Sequence, residues 1–288
     1  MDETIPHDPR TLTLADGRTL GWAEYGAPDG RPVVYCHGFP GSRLEWGMID
    51  PLSRAAAHGL RVIAPDRPGT GSSSSQPPRT LLDWPADVGA LLQELGIDRF
   101  ALLGVSGGGP YAEACAFRFG ERVTSVAIVS GMGPATAPGV RDGLAWSIPG
   151  KPRLLRLGML KLFVLGLKEP DRLLEGSRKS MAEPDRPMLD DPAFAAAFIA
   201  GLAEALRPGV RGAADEAAIY RADWGFDLRD LKTPVSLWHG GRDGNVPVSV
   251  GRWVADQITD CEAVFLEAEG HLSLLPKILE DVLARLAS

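Results

Sequence analysis

From residue 32 onward, short apolar runs alternate with segments whose apolar residues recur at helical spacing. "PVVYCHG", "RVIAPD", "RFALLGVS" and "VTSVAIVSG" read as strands, and so do "PVSLWHG" and "CEAVFLEAEG" further on. Between them, "WGMIDPLSRAAAHG", "LLDWPADVGALLQELG", "GPYAEACA", "VPVSVGRWVADQI" and "HLSLLPKILEDVLARLA" carry helical patterns. Continuous apolar runs are buried on both faces, and strands separated by helices pair in parallel. The expected fold class is therefore α/β, a mostly parallel sheet with helices on both faces. Upstream, "TLTLADG" and "LGWAEYG" suit a hairpin turning at Asp16-Gly17.

The alternation stops between residues 133 and 226. That block is rich in Ala, Leu, Arg and Pro and offers no strand. Within it, "DPAFAAAFIAGLAEALRPG" has Asp191 placed to cap a helix, Pro192 in its first turn and Gly209 past its end. The expected organisation is a core made of residues 1–132 and 227–288, carrying residues 133–226 as an inserted helical cap.

Composition narrows the function classes. The 288 residues carry a net charge of −7, which argues against nucleic acid or an anionic membrane as partner. The most apolar stretch, "LLRLGMLKLFVLGL", is interrupted by Arg156 and Lys161 and falls short of the ~20 residues of a membrane span. "MDETIPHDPR" lacks the basic and apolar regions of a secretory signal, so a cytoplasmic location is expected. Cys36, Cys115 and Cys261 have neither metal-site nor disulfide-scaffold spacing and read as reduced core residues.

The chemistry concentrates at "GVSGGGP". Ser106 stands where a strand ends and a helix begins, with Gly104 two residues before it and Gly108 two after. A serine raised on so sharp a turn needs neighbours nearly free of side chains. The turn also aims the Gly107 N–H into the site from a helix N-terminus, where negative charge is favoured. The competing G-x-G-x-x-A reading of residues 107–112 requires an acid at the end of the next strand, and "AIVSGMG" has none. No Gly-Lys-Ser/Thr follows a glycine cluster, so a phosphate loop is not supported.

Hydrolases built on such a sheet place serine, acid and histidine in that order. His239 and His271 are the two histidines after Ser106. Asp243 follows one strand and His271 follows the next, both at strand ends on the edge that bears Ser106. His239 lies before the acid and reads as a structural hydrogen-bonding group. Glu267 and Glu269 rival Asp243 as the acid, whereas Asp223 and Asp227 come too early. In "HGFPGS", the Phe39 N–H is a candidate second donor to an oxyanion, and His37 a loop anchor.

The pieces "HGFPGS", "DRPGTGSS", "GVSGGG", "HGGRDGNVP" and "EGHLSL", taken in order, resemble the α/β-hydrolase superfamily, in its serine esterase and proline-aminopeptidase-like branch. The resemblance implies an eight-stranded sheet, antiparallel at its start, under a helical lid. It also implies Ser106 as nucleophile, His271 as base, Asp243 as orienting acid, and Phe39 and Gly107 as oxyanion donors, with no metal or organic cofactor. An aspartate replaces the elbow serine in epoxide hydrolases and haloalkane dehalogenases, so Ser106 argues against both. The elbow lacks the tryptophan usual in proline aminopeptidases, while perhydrolases and carbon–carbon bond hydrolases share the serine triad.

The expected function is a carboxylesterase acting on small to medium esters. The alternatives are a proline-type aminopeptidase and a small-molecule receptor that keeps the triad but turns over little. Trp146, Phe163, Phe194, Phe198 and Trp224 are the candidate pocket residues. An unperturbed histidine base would make activity rise between about pH 6 and 7.5.

Overall fold

The apolar runs lie side by side as strands in the computed structural model, which describes residues 9–288. The acidic start at residues 1–8 lies outside the described residues. In chain order the elements are β1 (Arg10–Thr13), β2 (Thr19–Gly26), β3 (Arg31–Cys36), α1 (Glu45–Ile49), α2 (Arg54–Ala57), β4 (Leu60–Pro65), α3 (Trp84–Glu94), β5 (Phe100–Val105), α4 (Gly109–Phe119) and β6 (Val123–Val129). Then come α5 (Arg153–Gly166), α6 (Pro170–Ser180), α7 (Pro192–Ala205), α8 (Val210–Ile219), β7 (Val235–Gly240), α9 (Val248–Gln257), β8 (Cys261–Leu266) and α10 (Leu274–Ala287).

The eight strands form one sheet in the order β1-β2-β4-β3-β5-β6-β7-β8. β1 and β2 make the expected hairpin, with the Gly17 N–H donating to the Leu14 carbonyl; β2 also runs antiparallel to β4. The pairings from β4 through β3 to β8 are parallel. Successive side chains of a strand face opposite ways, so each strand feeds two cores. Val34, Cys36, Leu102 and Ile128 pack with Trp84, Val88, Tyr111 and Val250 on one face. Val33, Tyr35, Leu103 and Val129 pack with Trp46, Leu274 and Ile278 on the other. All six residues of β5 are buried, which is why that run shows no polar alternation.

The chain steps from β3 to β4 on one side and to β5 on the other. In open parallel sheets, such a reversal leaves a crevice at the carboxyl ends of the two diverging strands. Ser106 follows β5 and His37 follows β3, so both flank that crevice.

No strand lies between β6 and β7; helices α5 to α8 fill the interval instead. The Asp191 carboxylate accepts from the Ala193 N–H at 2.8 Å and begins α7 as its capping pattern requires. α5 is amphipathic, with Leu160 buried and Leu154, Leu155, Leu162 and Leu165 exposed. No single helix among the described residues is long and apolar enough to cross a membrane. All three cysteines are free; Cys36 and Cys115 are buried, but Cys261 is only half-buried, because β8 is an edge strand.

Gly158 sits inside α5, and a Cβ added there would meet nothing within 4 Å. Gly158→Ala should raise unfolding stability by about 0.5–1 kcal/mol, because alanine restricts the unfolded chain and favours the helix. A higher urea midpoint at unchanged slope would record it.

Candidate active site

Val105 is extended (φ −113°, ψ 131°), and Ser106 then turns to φ +54°. A left-handed conformation costs a non-glycine residue about 1–2 kcal/mol and persists only where the surroundings impose it. Here a tight 3-10 turn at Ser106–Gly108 leads directly into α4 and lifts the serine off the sheet. The two flanking glycines are required by close approach. A Cβ on Gly104 would stand 2.8 Å from the Gly108 carbonyl oxygen, and one on Gly108 would overlap the Cys36 carbonyl oxygen.

Gly107 packs against the loop after β3: a Cβ on it would lie 3.1 Å from the Phe39 amide nitrogen. Among the described residues, neither the Phe39 N–H nor the Gly107 N–H is taken by a protein acceptor. Two donors without a protein acceptor therefore lie close together next to Ser106.

Several buried groups hold the Phe39 loop. The Gly38 N–H donates to Glu45 Oε1 at 2.8 Å, and that oxygen also accepts from the Tyr35 hydroxyl. Burial pushes the Glu45 carboxyl above its ordinary pKa, against the pull of these donors. Arg67 Nη2 donates to the Gly38 carbonyl at 2.7 Å and Nη1 to the His37 carbonyl at 2.5 Å. His37 Nε2 accepts from the Arg67 backbone N–H at 3.3 Å, and burial holds this imidazole well below its usual pKa. It is a neutral anchor, as its position in the sequence implied.

The acid and the histidine meet at the ends of β7 and β8. Asp243 Oδ2 lies 2.7 Å from His271 Nδ1, while Oδ1 accepts the Asn245 and Val246 N–H groups at 2.8 Å each. Glu267 instead pairs with Arg252, and Asp227 with Arg229, both at the surface. Burial opposes the charge on Asp243, but the facing His271 and the donated hydrogen bonds hold its pKa below the ordinary value. Burial likewise opposes a charge on His271, and the Asp243 carboxylate outweighs it, raising the imidazole above its ordinary pKa. His239 is fully buried; its Nε2 donates to the Val246 carbonyl at 2.8 Å and so braces the Asp243 loop. Asp185, between α6 and α7, accepts the N–H groups of His271, Leu272 and Ser273 at 3.0, 2.8 and 3.0 Å.

Ser106 and His271 face a cavity of about 250 Å3. Among the described hydrogen bonds, none joins Ser106 Oγ to His271; serine and imidazole meet across this space. Of the five aromatic candidates, Phe163 and Phe198 line the cavity, along with Leu144, Ile148 and Leu202. The other three lie elsewhere. Trp146 is buried in the sheet's hydrophobic core, and Trp224 stacks on Phe226, which stacks in turn on Phe117 at 5.2 Å. Phe194 is half-buried on α7 but is not part of the lining. Glu45 and His271 are the ionisable side chains among the lining residues.

Sequence reasoning missed Glu45, Arg67, Asp185, Glu216 and Tyr220. "DRPGTGSS" contained Arg67 but gave no hint of its partners, and a lone acid in a helical block ordinarily faces water. No cluster of His, Cys, Asp and Glu side chains suited to a metal occurs among the described residues.

Known proteins resemble this chain in sequence and in fold. The chain is 30% identical over 251 residues to a non-heme chloroperoxidase of Streptomyces lividans, covering 82% of this chain and 83% of that one. It is 35% identical over 114 residues to a probable proline iminopeptidase of Streptomyces coelicolor, covering 37% of this chain and 34% of that one. An esterase from Exiguobacterium antarcticum superposes with a TM-score of 0.70 at 21% identity, over 98% of this chain and 100% of the other. With a sheet, a serine turn and a strand-end histidine in this order, and a family match over residues 31–277, the chain belongs to the α/β-hydrolase fold family.

Proposed function

We propose that the protein is a serine hydrolase that cleaves small to medium carboxylic esters through an acyl-enzyme. One observation carries this reading: the His271–Asp243 pair, joined at 2.7 Å, lines the same largely apolar cavity as Ser106, next to the Phe39 and Gly107 N–H groups, which no protein acceptor takes. Ser106 Oγ attacks the ester carbonyl while His271 Nε2 takes its proton. The carbonyl oxygen becomes an anion held by the Phe39 and Gly107 N–H groups, each worth about 3–4 kcal/mol to the barrier. His271 returns the proton to the departing alcohol, then deprotonates the water that releases the acid. Helices α5 to α8 act as the cap, and Phe163, Phe198 and Leu202 give the acyl or alcohol group an apolar wall. The protein is expected to act on soluble small molecules, as a cytoplasmic enzyme without metal or organic cofactor.

A fluorophosphonate probe and p-nitrophenyl butyrate test the reading. Fast labelling and ester turnover support it, and a folded protein that resists the probe points instead to the receptor alternative. A second reading has a specific observation behind it. Glu45 is, with His271, one of the two ionisable side chains lining the cavity and suits a substrate amino group, which would favour the aminopeptidase. Release of p-nitroaniline from proline p-nitroanilide in preference to ester cleavage would select it.

The base works only when His271 is neutral. Its raised pKa places the acid limb of kcat/KM at higher pH than an ordinary imidazole, at ~6.5, would give. Asp243→Asn removes the charge that raises it and frees the ring to take the wrong tautomer. That variant should lose about 10^4-fold in kcat and shift the limb to lower pH, read from a pH–rate profile.

A further inference from the structure

We infer that Arg67, held in place by Glu216 of the helical insertion, positions and polarises the peptide whose N–H receives the oxyanion. The inference rests on the serine-hydrolase reading above. It makes the insertion part of the catalytic apparatus as well as a cover for the pocket.

The argument begins with one peptide unit. The Gly38 carbonyl and the Phe39 N–H belong to the same planar amide, and in a trans peptide they point in opposite directions. Arg67 Nη2 donates to that carbonyl at 2.7 Å, alongside the His37 Nδ1–H at 2.9 Å, so the guanidinium shares in fixing the N–H on the far edge, beside Gly107. Nη1 takes the preceding carbonyl, of His37. Two donors on one rigid fork, bonded to consecutive carbonyls, leave the loop little freedom to rotate either amide. A charged donor on the carbonyl also draws electron density from the amide and strengthens the opposite N–H as a donor.

The cation itself depends on the insertion. Arg67 is fully buried, as is Glu216 on α8, 149 residues away in sequence, and Arg67 Nε donates to Glu216 Oε1 at 2.5 Å. The guanidinium also lies 4.5 Å from the centre of the Tyr111 ring. One turn beyond Glu216, the Tyr220 hydroxyl is 3.0 Å from both the Gly107 carbonyl and Glu216 Oε1. A single face of α8 thus supports both backbone segments whose free N–H groups converge.

The discriminating variant is Arg67→Met combined with Glu216→Leu. It removes both charges at similar volume, a replacement that buried pairs commonly tolerate without unfolding. With p-nitrophenyl butyrate, kcat should fall about 10^2- to 10^3-fold, as when an oxyanion donor is lost. KM should stay within about threefold, since the apolar walls are untouched. Phosphonate labelling should slow in parallel, and the pH limb set by His271 should not move. A folded double variant with wild-type kcat overturns the inference. If the pair does not fold, Arg67→Lys keeps the charge facing Glu216 but loses the fork. A drop in kcat at unchanged KM supports the inference, and a wild-type kcat overturns it. If the wild-type protein resists the phosphonate, the hydrolase reading and this inference fall together; equal labelling of wild type and variant overturns this inference alone.

Discussion

Ser106→Ala should abolish phosphonate labelling and lower kcat for p-nitrophenyl butyrate by about 10^4- to 10^6-fold, the scale on which serine triads depend on their nucleophile. Thermal unfolding should shift little. Alanine keeps the Cβ, so the φ +54° turn is no more and no less strained than before. The hydroxyl faces the cavity, so no buried hydrogen bond of the core is lost with it. Residual turnover, if detected, would come from the Phe39 and Gly107 donors and from binding, and would no longer follow the ionisation of His271. A variant that retains more than a tenth of wild-type kcat would show that another group attacks the substrate.

Gly108→Ala is the substitution expected to damage the fold most for its size. The added methyl would occupy the space of the Cys36 carbonyl oxygen, which is backbone at the end of β3 and has no rotamer by which to withdraw. Relief requires β3 and the serine turn to separate, and that also parts the Phe39 and Gly107 donors. A loss of more than about 3 kcal/mol is expected, at the severe end of point substitutions. Urea unfolding would measure it, with activity falling even in the fraction that folds. The same glycine-to-alanine exchange at Gly158, where the added methyl meets nothing, should act in the opposite direction. The contrast isolates close backbone approach from glycine's general cost in helices. Near-equal stabilities for the two variants would remove the packing account of the elbow.

The sheet and the elbow were legible because their determinants are local. A run such as "RFALLGVS" announces burial on both faces, and G-x-S-x-G marks a turn too tight for side chains at its flanks. Asp243 and His271 were legible because chain order and strand-end position narrow the choice, although Glu267 and Glu269 remained rivals until the 2.7 Å contact separated them. The pocket was legible only in part. Phe163 and Phe198 line it, but Trp146 and Trp224 fill the core, since a large aromatic in an inserted segment carries no local mark of the side to which it will pack. In α5 Leu160 is buried while Leu154 and Leu162 are exposed, since spacing alone does not say which face of a helix meets the core.

What the sequence determined by itself was the succession of strands and helices along the chain, the hairpin at Asp16-Gly17, and a serine, an acid and a histidine at three strand ends. The elements and the serine turn are written in residues within a few positions of one another, where turn chemistry and periodicity act, and the acid and histidine in chain order and strand-end position. Tertiary structure alone decided how the helices between β6 and β7 grip the site: Asp185 on the backbone of the His271 loop, and Glu216 through Arg67 on the peptide before Phe39. A buried ion pair spanning 149 residues leaves no periodic trace. Its partners are chosen by desolvation, which penalises every unpaired charge only after the chain has closed around it.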